Sequence, residues 1–216
     1  EIIIVNDGSK DDTLEVVKAY FVDFPGLNCK IIDQKNKGIG GARNSCIKEA
    51  LGKFVAFLDA DDSWSKLKLE RVKELIGKST NVDLVCHNEN WVEDGRVYKE
   101  AICGPYRTYK ELLFKGNCIS TSATVVRRSK LLEVGLFSEN MNFNGVEDYE
   151  LWLRLSKICK IKYLNETLGE YRIHGGSETS NIEMHNRNWL NVLEYHFDLW
   201  PNKTIYYKFM MRIERA

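Results

Sequence analysis

Short apolar runs alternate with stretches of helical periodicity through the first half of the chain. Residues 2–5 (Ile-Ile-Ile-Val) form the first run, and Asn6-Asp7-Gly8-Ser9 closes it as a turn. Leu14, Val17 and Phe21 follow at the spacing of one helix face. Residues 30–32 predict a second strand, residues 36–41 a glycine-rich loop, and residues 42–51 a helix. Residues 54–58 predict a third strand, Leu67, Leu69, Val72, Leu75 and Ile76 a further helix, and residues 82–86 a fourth strand. Strands that are apolar throughout and separated by helices belong to a parallel sheet covered on both faces. The expected class is therefore α/β, with a mostly parallel central sheet flanked by helices.

The second half is less regular. Residues 89–92 and 96–98 flank Asp94-Gly95, a strong two-residue hairpin signal. A short helix over 108–114, a strand over 122–126 and a helix through 148–155 follow, the last with Leu151 and Leu155 on one face. Past Gly175-Gly176 the aromatics Trp189, Tyr195, Phe197, Trp200, Tyr206, Tyr207 and Phe209, punctuated by Pro201, predict a C-terminal helical extension over 176–216. Their spacing suits core or interhelix packing. Lys203, Lys208, Arg212 and Arg215 among those aromatics also suit peripheral contact with a membrane surface.

Composition narrows the classes. The 31 Lys+Arg balance 31 Asp+Glu, so there is no basic face to argue for nucleic acid. Cys29, Cys46, Cys86, Cys103, Cys118 and Cys159 are scattered with no Cys-x-x-Cys pair, which favours reduced, partly buried thiols and a cytoplasmic setting over a disulfide framework. No apolar stretch approaches the roughly 20 residues that span a bilayer. The chain also opens inside an apolar run, which is expected of a piece cut from something longer.

In open α/β sheets, ligands bind where strands end. Asn6-Asp7-Gly8-Ser9, the 36–44 loop and Asp59-Ala60-Asp61-Asp62 each follow a predicted strand. Gly38-Ile39-Gly40-Gly41 lacks the spacing of a dinucleotide fingerprint; it reads either as a turn before a helix or as a loop bringing Arg43 and backbone amides to an anion. Asp-x-Asp after a buried strand offers hard oxygen ligands to Mg²⁺ or Mn²⁺, shared with substrate phosphates. The competing reading is a helix cap by Asp61, Asp62 or Ser63. Glu147 and Asp148 likewise read, on spacing alone, as first-turn acids favoured by the helix dipole.

Six segments, EIIIVNDGSKDDT, NKGIGGARN, GKFVAFLDADD, VGLFSE, VEDYELWLRL and YRIH, occur in an order that resembles bacterial-type family 2 glycosyltransferases of the GT-A fold. The resemblance runs from Glu1 to about His174, and implies a nucleotide-binding part (about 1–87) and an acceptor-side part (about 88–175). It implies inverting transfer of a sugar from a nucleotide-sugar, a UDP-sugar by expectation, to an acceptor hydroxyl in surface polysaccharide or lipid-linked glycan synthesis, with Mn²⁺ or Mg²⁺ as cofactor. Asp7 would contact the nucleoside base and Ser9 the donor, Arg43 would lie near the nucleotide, Asp59 would meet the ribose or the groups around it, and Asp61 would hold the metal, with His174, a further metal candidate, and Arg172 reaching back to metal or phosphate. Asp148 would be the catalytic base, oriented or replaced by Glu147. The family also implies a strand and helix of about 30 residues ahead of Glu1, whose absence would leave residues 2–5 with an unpaired side. A nucleotidyltransferase and a non-catalytic nucleotide- or glycan-binding module are the alternatives. The expected setting is cytoplasmic, with contact at the inner face of the membrane.

Overall fold

The computed structural model describes residues 1–79, 81–175 and 181–198. Its α/β class is the expected one. The β-branched opening run forms β1 (Ile2–Asp7), and α1 (Thr13–Asp23) carries the chain to β2 (Cys29–Gln34), which pairs with β1 in parallel. These two strands form a sheet of their own. The chain continues through α2 (Gly38–Glu49), β3 (Phe54–Ala56), β4 (Ser63–Trp64) and α3 (Lys68–Lys78). It then enters the longer strands β5 (Leu84–Glu93) and β6 (Arg96–Ala101), with α4 (Tyr109–Lys115) and β7 (Thr124–Arg127) following. The remaining elements are α5 (Arg128–Glu133), a single 3-10 turn at Met141–Phe143, α6 (Glu147–Leu155), β8 (Ile161–Ile173) and α7 (Ile182–Asp198).

One detail of the expectation is corrected. The larger sheet, ordered β3-β7-β5-β8-β4 with β6 also on β5, is mixed rather than mostly parallel: only β5 and β8 run parallel in it. The antiparallel pairings come from strands after β5: β6 folds straight back on it, β7 runs antiparallel to both β3 and β5, and β8 runs antiparallel to β4. The Asp94-Gly95 turn has φ of 48° and 73°, so β5 and β6 close as a hairpin. β8 has no counterpart among the expected elements, because its Lys-Tyr-Leu-Asn-Glu-Thr stretch mixes polar and apolar residues without a clear period.

Among the described residues β1 pairs only with β2, and β3 only with β7. The other edge of each carries no strand among the described residues. The two-stranded sheet is tied to the rest through α2. Cys46 Sγ lies 3.8 Å from the Ile3 carbonyl oxygen, and on the far side the Arg128 guanidinium donates to the Ile47 carbonyl oxygen at 3.0 Å.

The main core gathers around α6, whose Leu151, Trp152, Leu153 and Leu155 are all fully buried. This burial anchors α6 in the core, which matters because its first turn carries Glu147 and Asp148. Val192, Leu193 and Phe197 of α7 join the same core. α4 opens on a capping box in which Thr108 and Glu111 each satisfy the other's backbone. Trp189, Tyr195 and Phe197 lie on α7, whereas Trp200, Pro201 and the basic-aromatic stretch to Arg215 fall outside the described residues. None of the six cysteines is paired. No helix of the described residues is long and apolar enough to cross a membrane.

Candidate active site

The acidic turn leaves β3 and does not cap a helix. Residues 63–67 separate Asp62 from α3, which starts at Lys68 after a Leu67 that makes no side-chain cap. The capping reading of Asp61, Asp62 and Ser63 is thus overturned. Instead the turn is fixed from below by Ser122: its hydroxyl accepts from the Asp59 backbone N–H at 3.0 Å, and its carbonyl accepts from Trp64 Nε1 at 2.9 Å and Lys68 Nζ at 2.5 Å. Like charges this close need a counter-charge. Asp59 finds it in Arg43.

Arg43 lies on α2, which begins within the glycine-rich stretch rather than after it. Asp7 accepts from the Lys37 N–H at 3.0 and 3.1 Å, and from Gln34 Nε2 at 2.6 Å, which pins the entry to the helix. A Cβ on Gly40 would stand 2.7 Å from the Ser138 carbonyl oxygen, so only glycine lets α2 come this close to the 136–139 segment. That approach brings the Arg43 guanidinium between two chain-distant carboxylates. It holds both oxygens of Asp59 at 2.8 Å and Glu147 Oε1 at 2.7 Å, with only 11% of its side chain exposed. The Phe137 ring lies 5.3 Å from the guanidinium carbon.

Glu147 is buried and Asp148 half-buried, side by side in the first turn of α6. Asp148 Oδ1 accepts from the Tyr149 N–H at 2.6 Å and Oδ2 from the Thr121 hydroxyl at 3.3 Å. Burial raises both carboxyls above the usual carboxylate range; Asp148 pushes Glu147 further up, and Arg43 opposes the rise in each. A carboxylate held partly out of water beside one guanidinium is a competent proton acceptor.

Asp61 and His174 meet although they lie 113 positions apart: Nε2 lies 2.9 Å from Oδ2, with both side chains nearly half exposed. β8 delivers His174, and the Arg172 N–H donates to Asp62 Oδ1 at 3.1 Å. Among the described residues no group of three or more His, Cys, Asp or Glu is placed to hold a metal alone. The Asp61–His174 pair does fit a divalent cation that takes its other ligands from phosphate and water, as Mg²⁺ and Mn²⁺ commonly do.

Asp7, Arg43, Asp59, Asp61, Glu147, Asp148 and His174 all line one open cleft of about 1330 Å³. Ser9 does not line it; Ser9 is exposed, and its N–H donates to Asn6 Oδ1 at 3.2 Å. Thr121 and Ser122 were not among the expected site residues, since a Ser-Thr-Ser run at the head of an expected strand carries no distinguishing signal.

A family model described as glycosyl transferase family 2 matches residues 1–135. The UDP-Glc:alpha-D-GlcNAc-diphosphoundecaprenol beta-1,3-glucosyltransferase WfgD of Escherichia coli is 32% identical over 184 residues, covering 84% of this chain and 68% of the relative. The chain spans 61% and 56% of the length of two further bacterial glycosyltransferase relatives of uncharacterised activity. S. aureus TarS 1-349 in complex with UDP-GlcNAc aligns with a TM-score of 0.68 at 24% identity, over 84% of this chain and 52% of that one. The mannosyltransferase PcManGT of Pyrobaculum calidifontis, in complex with GDP-Man and Mn²⁺, aligns at 0.65 and 16% identity over 90% of this chain and 55% of that one. At these identities the structural likeness is one of fold, and that fold is the expected GT-A type. With the family model covering well over half of its residues, the chain belongs to glycosyl transferase family 2.

Proposed function

We propose that this chain catalyses inverting transfer of a sugar from a nucleotide-sugar, UDP-linked by preference, to an acceptor hydroxyl on a lipid-linked glycan. One observation carries the reading: the half-buried Asp148 and the exposed Asp61–His174 pair share a single cleft, with Arg43 bridging Asp59 and Glu147 between them. That arrangement supports a proton acceptor and a diphosphate-binding end working on one substrate. The relatives support the substrate class, since WfgD is named for UDP-Glc and a GlcNAc-diphosphate lipid and TarS binds UDP-GlcNAc.

Asp148 takes the proton of the acceptor hydroxyl as its oxygen bonds to the anomeric carbon, and the bond from that carbon to the diphosphate oxygen breaks with its electron pair. Thr121 and the Tyr149 N–H hold the carboxylate in line. Arg43 keeps Glu147 and Asp59 from competing with it for space and charge. Asp61 and His174 would hold Mn²⁺ or Mg²⁺, which as a Lewis acid stabilises the charge gathering on the leaving diphosphate.

The test is Asp148→Asn, an isosteric change that removes the base. Transfer is expected to fall by about 10²–10⁴-fold, with UDP binding by calorimetry unchanged. Normal turnover in this variant would exclude Asp148 as the base. Release of pyrophosphate from a nucleoside triphosphate, in place of UDP from a UDP-sugar, would reassign the reaction to nucleotidyl transfer.

A further inference from the structure

Another wall of the cleft is built by β5, β6 and β8. Trp91 stands opposite Lys99 across the β5–β6 pairing and opposite Tyr171 across the β5–β8 pairing. Directly opposed residues share a sheet face, so Lys99, Trp91 and Tyr171 form one row across three strands. All three line the cleft. The Trp91 and Tyr171 rings are half-buried, with centroids 5.4 Å apart and planes at 43°. Lys99 is exposed and sets its ammonium 3.8 Å from the centre of the Trp91 ring. Three residues beyond Tyr171 in the chain, His174 meets Asp61. The aromatic row therefore ends on the strand that leads to the end of the cleft proposed for the diphosphate.

We infer that Trp91 and Tyr171 form a sugar-stacking platform, on which a pyranose lays its C–H face against the indole while Lys99 turns to that sugar's hydroxyl or phosphate oxygens. A pyranose presents polarised C–H bonds on one face and hydroxyls at its edge; an aromatic face is electron-rich. The Lys99 ammonium already marks that face as attractive to positive charge. Its contact is solvent-exposed and hence weak, so a sugar displaces it readily and gains a cation beside its oxygens. A purely structural cross-strand pair would stabilise the sheet without affecting any substrate. The platform rests on the glycosyltransferase reading, and the pyranose has two sources, the donor sugar and the acceptor sugar.

The experiment varies UDP-glucose and a short-chain GlcNAc-α-diphosphate lipid separately, in wild type, Trp91→Leu, Trp91→Phe and Tyr171→Leu. Trp91→Leu is expected to raise the KM of one of these substrates by about five- to tenfold, the range of a single aromatic contact, with kcat little changed. Trp91→Phe, which keeps a ring, restores most of the loss. A rise confined to UDP-glucose assigns the donor sugar, and one confined to the lipid assigns the acceptor. Trp91→Leu or Tyr171→Leu proteins that melt like wild type and move neither KM would overturn the platform. Where wild type turns over neither substrate, saturation-transfer NMR with methyl β-glucoside decides separately. Transfer from the protein that is lost in Trp91→Leu upholds the platform while the transferase reading fails; no transfer in wild type sinks the platform.

Discussion

Arg43 shows how one side chain can organise a site whose parts are far apart in sequence. Its planar fork serves Asp59 and Glu147 at once, which a lysine's single ammonium does not reproduce. Arg43→Lys is therefore expected to lose most transfer activity while UDP still binds, as read by product formation beside calorimetry. Deeper in the sheet, Glu89 and Lys68 are both fully buried. Burial lifts Glu89 to about 7 and lowers Lys68 to about 7. The folded Glu89 pKa lies above its unfolded value, so its stabilising effect is present in acid and fades as pH rises from about 4.5 to 7. The folded Lys68 pKa lies below its unfolded value, so stability returns as pH rises from about 7 to 10.5. Together the two make neutral pH the low point of this local contribution. Glu89→Gln is expected to flatten the acid-side fall in Tm between those values, and an unchanged slope would refute the assignment.

At the scale of elements, α2 and the acidic turn depend on close approaches rather than on propensity. Gly40→Ala drives a methyl into the Ser138 carbonyl oxygen; a cost of about 1–3 kcal/mol is expected by denaturant unfolding, together with loss of activity as Arg43 shifts. Ser122→Ala removes the hydroxyl that accepts the Asp59 N–H. It is expected to cost about 1 kcal/mol and to weaken metal-dependent UDP binding more than metal-free binding. Much of this architecture was legible in the sequence because the local signals were strong. Apolar runs marked β1, β2, β3 and the start of β5, Asp94-Gly95 marked the hairpin, and the Leu-Trp-Leu-Arg-Leu stretch marked α6. Where signals were weak or misleading, the reading slipped. α2 starts at Gly38 instead of residue 42, because Asp7 and Asn36 supply the anchoring acceptors for N–H groups at residues 37 and 38 that no glycine pattern reveals. β8 gains its strand state from pairing with β5 along nearly its whole length, a tertiary cause invisible in its own residues. The meeting of Asp61 with His174 was available only through the ordered motifs, since spacing over 113 residues carries no geometry.

Across the whole molecule, the cleft is assembled from two bodies. Asp7 comes from the two-stranded sheet, whereas Asp59, Asp61, Asp148 and His174 come from the larger sheet and its helices. α2 is the main bridge between them, with Asn44 accepting the Phe137 N–H at 2.9 Å and donating to the Phe137 carbonyl oxygen at 3.0 Å. Substrate that touches both bodies should hold them together, so UDP is expected to raise Tm in the presence of Mn²⁺ by more than chelator-treated samples show. The open edge of β1 has its own consequence, one measured in time. The Ile2 N–H donates to the Asn28 carbonyl oxygen, and alternate residues of a strand point the same way, so the amides of Ile4 and Asn6 also face β2. Those of Ile3 and Val5 face the open edge, where the Ile3 carbonyl oxygen meets the Cys46 thiol at 3.8 Å. In deuterated water a single strand should then exchange at two rates, Ile3 and Val5 losing their protons well before Ile4 and Asn6. Any chain segment that comes to lie along that edge would announce itself by erasing the alternation.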